Sequence, residues 1–119
     1  MPDGVLVLIA EDEPTIALVL SEVIQDLGYT PLLAQNGRQA LELARERRPA
    51  LVITDLMMPE LDGAALIAAL RDEPGDPVPT ILVTAVGTAQ SLRAGADAVL
   101  TKPFDIVALE TLLAQLLPA

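Results

Sequence analysis

The chain has 119 residues, 52% of them hydrophobic, which is the length of one ordinary domain with apolar surface enough for a single core. It contains neither cysteine nor histidine, so disulfides, thiolate or imidazole metal sites and the commonest general base are excluded, and chemistry falls to carboxylates, hydroxyls, lysine and backbone. Seventeen acidic against seven basic residues, a net charge of −10, speak against nucleic acid as a partner; with no membrane-length apolar run and no export-type N-terminus, a soluble cytoplasmic protein with no membrane partner is expected.

Val5 to Ala10 is a continuous apolar run, too short for a helix and rich in branched residues, and it reads as a strand buried on both faces. It ends in Glu11, Asp12 and Glu13. Pro14 suits the first turn of a helix, in which Ile16, Leu20, Val23 and Leu27 share one face up to a stop at Gly28. Tyr29 to Ala34 reads as the second strand, followed by a helix with Asn36 as N-cap and Gln39 at N3, running to about Arg48 before Pro49.

Ala50 to Thr54 is the third strand and leads into Asp55. A loop with Pro59 and an Asp62–Gly63 turn precedes a helix over Ala64 to Arg71, and the proline-rich stretch from Glu73 to Pro79 is a connector. Thr80 to Val83 reads as the fourth strand, ending at Thr84. Thr88 to Ala94 is a shortened fourth helix, Asp97 to Leu100 a fifth strand followed by Thr101, Lys102 and Pro103, and Asp105 to Leu117 a leucine-rich fifth helix. Five buried strands alternating with about five helices imply an α/β fold, a parallel sheet covered on both faces in three layers, expected as one domain over residues 1–119.

In such a sheet the carboxyl ends of the strands share one edge, where ligands bind. That edge receives Glu11 and Asp12 from the first strand, Asp55 from the third, Thr84 from the fourth and Lys102, the only lysine of the chain, from the fifth. Crowded carboxylates need a neutralising cation, and oxygen donors suit Mg²⁺, which takes one or two carboxylates and completes its shell with water and phosphate oxygens. Phosphoryl transfer asks for an in-line nucleophile and charge stabilisation: Asp55 can attack, the cation and Lys102 can neutralise, and the Thr84 hydroxyl can donate a hydrogen bond. Taken singly, each residue has a plainer reading: acidic residues at a helix start, a strand-end hydroxyl, a loop lysine.

Glu11–Asp12, the run Asp-Leu-Met-Met-Pro-Glu-Leu-Asp-Gly from Asp55 to Gly63, Thr84–Ala85 and Lys102–Pro103–Phe104 together resemble the signature of receiver (CheY-like) domains of two-component response regulators. The resemblance covers nearly the whole chain. It implies a flavodoxin-like three-layer sandwich with strand order 2-1-3-4-5. It also implies Asp55 as phosphoacceptor, Thr84 as switch hydroxyl, Lys102 as partner of the phosphoryl group with a cis peptide to Pro103, and Mg²⁺ or Mn²⁺ as cofactor. The implied metal ligands are Asp12, Asp55 and the Met57 backbone carbonyl, with Glu11 reaching the metal through water. A histidine kinase or histidine phosphotransfer protein would be the donor, and the domain would be a switch rather than an enzyme in its own right.

Two features depart from that pattern: Val99 stands three positions before the lysine, where the family usually has an aromatic residue, and the Thr84–Lys102 interval is about one helical turn short. The last helix carries Ile106, Val107, Leu109, Leu112, Leu113, Leu116 and Leu117, more than one stripe can hide, so the fourth-helix, fifth-strand and fifth-helix face is expected to form a homodimer or dock an output partner. Met57 and Val86, apolar where a water would be positioned, predict slow loss of the phosphoryl group. The alternatives are a pseudo-receiver that binds without phosphorylation and, disfavoured by Met57 at the position of a second acid/base carboxylate, a small Mg²⁺-dependent aspartyl-phosphate phosphotransferase. A flavin-binding reading lacks a phosphate-cradling loop after the first strand.

Overall fold

The computed structural model describes residues 4–85 and 95–117. Five strands, β1 (Leu6–Ala10), β2 (Thr30–Ala34), β3 (Leu51–Asp55), β4 (Thr80–Thr84) and β5 (Ala98–Thr101), form one parallel sheet in the order β2-β1-β3-β4-β5. Four described helices, α1 (Pro14–Asp26), α2 (Gly37–Arg47), α3 (Gly63–Arg71) and α4 (Ile106–Leu116), connect or follow them. The expected short helix at 88–94, and Val86, fall outside the described residues, so α4 is the fifth helix of the sequence reading. The α/β, flavodoxin-like sandwich with strand order 2-1-3-4-5 is the one expected.

Alternation along the strands divides the core between two faces. Val7, Ile9, Ile53 and Val83 point to the side of α1 and α4, where they meet Leu20, Ile24, Leu109 and Leu113. Leu8, Ala10 and Val52 point to the other side and pack with Ala40 and Ala44 of α2 and Leu66 and Leu70 of α3. Both faces of β1, β3 and β4 are thereby sealed, which explains their unbroken apolar runs.

Local chemistry sets the helix starts. The side chains of Glu13, Asn36, Asp62 and Asp105 each accept a backbone N–H of the first turn that follows, at 2.7 to 2.8 Å, as N-cap residues do. Gln39 reaches back to the Gln35 N–H at 2.7 Å, one residue earlier than a capping box would. Because each of these four helices follows a strand of the parallel sheet, their positive dipole ends open toward the same edge.

The first helix differs from its expected face. α1 ends at Asp26, so Leu27 caps it and remains 39% exposed, while Ala17, Ser21 and Ile24 are buried beside Leu20 and Val23. A 3.6-residue period extended through Leu27 outlasts the helix itself. In α4, Leu109 and Leu113 are buried, as is Leu117 beyond it; Leu112 and Leu116 are half-buried against the same core, and only Ile106 and Val107 of the apolar set are exposed.

Candidate functional site

Strand order reverses between β1 and β3, and there the carboxyl ends of the strands gather the polar residues of the site. Glu11 follows β1, held by its N–H to Ala34 O at 3.1 Å, and is buried, whereas Asp12 next to it is exposed. Asp55 is the last residue of β3 rather than the one after it; it pairs with Val83 of β4, and the Leu56 N–H continues the ladder to Val83 O at 3.2 Å. Thr84 closes β4, fully enclosed, in register with Thr101 of β5. Lys102 comes next, its backbone N–H bound to Thr84 O at 2.8 Å and its peptide to Pro103 cis.

These placements bring the side chains together. Lys102 Nζ lies 3.1 Å from Asp55 Oδ2 and 3.8 Å from Glu11 Oε1. One carboxylate oxygen from each of Glu11, Asp12 and Asp55 falls within 4.8 Å of the others. Glu11 Oε2 accepts the Glu13 N–H at 3.2 Å, but Glu11 Oε1 is buried and has no hydrogen-bond partner among the described residues. Burial, and then the Asp55 charge, push the Glu11 carboxyl from 4.5 up to about 7, against the opposing pull of the Glu13 amide and of Lys102.

An orphaned buried oxygen beside two further carboxylates and one ammonium is a site short of positive charge. Three hard oxygen donors at this spacing suit a divalent cation such as Mg²⁺ or Mn²⁺, and they do not suit a soft metal. Lys102 supplies one positive charge, which leaves a net negative pocket able to attract a dication and then, with the cation in place, an anionic phosphoryl group.

The remaining expected residues lie around this centre. Met57 is in the loop after β3 and is 67% exposed; Met58 turns inward, its sulfur 4.0 Å from Thr54 Oγ1. Val99, paired with Leu82, is half-buried in β5. Sequence reasoning missed the packing of Gly37 and Gly63 around the Asp55 loop, for which the only signal was a glycine directly after each N-cap.

Residues 7–114 match the family model described as the response regulator receiver domain. The chain belongs to this family. Receiver domains are signalling modules, and this one is 40% identical over 116 residues to the response regulator MprA of Mycolicibacterium vanbaalenii, across 94% of this chain and 48% of that protein. The chain therefore spans about half the length of that regulator. Among solved structures it resembles the signal receiver domain of a signal transduction histidine kinase from Syntrophus aciditrophicus, at TM-score 0.87 and 38% identity, covering 95% of this chain and 89% of that one. It likewise resembles the response regulator TrrA of Thermotoga maritima in complex with Mg²⁺-BeF, at TM-score 0.86 and 32% identity, covering 94% and 98%. In the described part of this receiver domain no helix is long and apolar enough to cross a membrane.

Proposed function

We propose that residues 1–119 form a single receiver unit that accepts a phosphoryl group on Asp55 from the phosphohistidine of a histidine kinase or phosphotransfer protein, and so changes which proteins it binds. The observation that carries this reading is the convergence of Asp55, Glu11 and Lys102 within salt-bridge reach at the carboxyl edge of the sheet. The Mg²⁺-BeF complex of TrrA supports it by analogy.

In the step itself an Asp55 carboxylate oxygen attacks phosphorus in line, the P–N bond to the donor imidazole breaks, and the imidazole leaves with the bonding pair. Glu11, Asp12, Asp55 and the Met57 carbonyl would hold Mg²⁺ or Mn²⁺, Glu11 through water, and when bound the cation neutralises charge on the phosphoryl oxygens. Lys102 exchanges its ion pair with the Asp55 carboxylate for one with a phosphoryl oxygen, and the Thr84 hydroxyl donates to another. The buried walls of β3 and β4 keep bulk water from the strand end. The chain adds no turnover beyond its own phosphorylation and dephosphorylation, acts in the cytoplasm, and presents the face of β5 and α4 to a second copy or an output partner. Light scattering with and without beryllofluoride tests that last point, a mass independent of both concentration and beryllofluoride removing self-association.

The deciding experiment is incubation with acetyl phosphate and Mg²⁺, followed by intact mass, with Asp55→Asn as control. A single phosphoryl adduct on the wild type and none on the variant is expected. Mg²⁺ binding without an adduct would instead make the chain a pseudo-receiver, a binding module with Val99 in place of a working relay.

A further inference from the structure

The loop that follows Asp55 is under strain and is gripped from two sides. Glu60 stands at φ 72, and the Leu61 N–H donates to Pro59 O at 2.8 Å, a three-residue turn of the rare hand that L residues seldom adopt. Such a conformation persists only when its surroundings over-determine it.

Two glycines do so. Gly63 lies against the strand end itself: a Cβ there would overlap the Asp55 carbonyl oxygen and come within 2.9 Å of Leu56 Cα, and its N–H closes the loop by donating to Leu56 O at 2.9 Å. Gly37, 18 positions before Asp55 in the sequence and on a different helix, grips the other side. A Cβ on Gly37 would overlap the Leu61 carbonyl oxygen and stand 2.6 Å from its carbonyl carbon and 2.8 Å from Leu61 Cβ. The contact is with backbone, which cannot swing aside as a long side chain can. The start of α2 is itself fixed by the Asn36 cap on Gln39 N–H at 2.8 Å and by the burial of Gly37 and Ala40, so the loop must yield if this contact is enlarged.

We propose that Gly37 is a positioning residue for the metal site, holding the strained loop 56–62, and with it the Met57 carbonyl, at the level of the Asp55 carboxylate. The inference rests on the reading of Asp55, Asp12 and the Met57 carbonyl as metal ligands. It makes the start of α2 a support of the site although none of the site carboxylates lies on that helix, and it explains why a residue with poor helix propensity occupies the first turn.

The test uses the whole chain as wild type, Gly37→Ala and, as a control on the same helix, Ala44→Gly, which removes a core methyl far from the loop. Two quantities are read: exchange of the Gly63 amide in metal-free protein, and Mg²⁺ affinity by calorimetric titration. Gly37→Ala should speed exchange of the Gly63 amide and weaken Mg²⁺ binding roughly tenfold, as loss of an outer support does at other metal sites, while Ala44→Gly changes neither. If Gly37→Ala does not fold, Leu61→Gly, which removes the Cβ that faces Gly37 and so thins the same contact from the loop side, takes its place with the same expectation. Wild-type binding left unchanged in the variant, or an equal loss in Ala44→Gly, overturns the inference alone. A wild type that binds no Mg²⁺ overturns the reading of the site as well as the inference built on it.

Discussion

Lys102 Nζ sits 3.1 Å from Asp55 Oδ2, an ion pair that reaches from the end of β5 to the end of β3 across the intervening β4. The reach is possible because the Lys102 backbone is pinned to Thr84 O at 2.8 Å, so the side chain starts from the top of β4 rather than from a free loop. The same ammonium is 3.8 Å from Glu11, and among the described residues it is the nearest positive charge to both carboxylates.

Lys102→Met should therefore split two properties that usually move together. Loss of the ammonium leaves Asp55 and Glu11 facing each other, and metal-free stability should fall by about 1–3 kcal/mol, the cost of unpairing buried charged groups. Mg²⁺ affinity should stay level or rise, because a competing cation has left, while phosphoryl uptake from acetyl phosphate falls. Urea unfolding in EDTA, Mg²⁺ titration and intact mass give the three readings; a parallel loss of Mg²⁺ affinity would contradict the charge argument.

Glu11 makes metal-free stability depend on pH in a stated direction. Its carboxyl is raised from 4.5 to about 7, chiefly by burial and then by Asp55, so between those values the folded state holds a proton that the unfolded state has lost. Its contribution is complete below pH 4.5 and is lost as the pH rises to about 7. Glu11→Gln cannot titrate, so in EDTA the stability of wild type minus variant should decline across this window, by at most about 1.4 kcal/mol per pH unit. Saturating Mg²⁺ should flatten the decline; a difference that does not change with pH in EDTA would mean that Glu11 titrates normally.

The carboxyl-edge residues were legible because their positions follow from apolar runs: a buried strand that stops at Glu11, Asp55 or Thr84 has to leave that residue at the sheet edge. Lys102 was legible for the same reason, being one residue past β5. What was not legible is tertiary. Leu27 continues the spacing of α1, yet the helix stops at Asp26 and the chain turns through Gly28 at φ 91. The press of Gly37 on Leu61 joins two segments that no local pattern connects, and the strain at Glu60 shows only once the Leu61 N–H is seen to bond to Pro59 O.

Asp97, read from sequence as the first residue of a strand, is instead a clasp at the opposite edge of the sheet. Its Oδ2 accepts the Thr80 N–H at 2.8 Å and the Thr80 hydroxyl at 3.3 Å, and its own N–H is bound to Thr80 O at 3.1 Å. Thr80 is buried, so Asp97→Ala leaves its amide without that acceptor and should cost about 1–3 kcal/mol. Mg²⁺ affinity and phosphoryl uptake of the folded variant should match the wild type, because the clasp lies at the other end of β4 from the site. Thermal unfolding beside a Mg²⁺ titration separates the two, and a loss of Mg²⁺ affinity would show that the ends of the sheet are coupled.

Met57 bears on how long the phosphoryl group would stay. Hydrolysis of an aspartyl phosphate needs a water held in line with the P–O bond, and a thioether is only a weak acceptor. Two residues after Asp55 and 67% exposed, Met57 offers that water little hold. Met57→Asn places a donor and an acceptor on the same rim without adding charge, and should speed dephosphorylation roughly tenfold, below the range of a full general base because it orients the water without taking its proton. Decay of the phosphorylated mass in Mg²⁺, after acetyl phosphate is removed, reads both rates. A wild-type half-life of seconds would show that another group already holds the water, and an unchanged rate in Met57→Asn would remove this position from the control of hydrolysis.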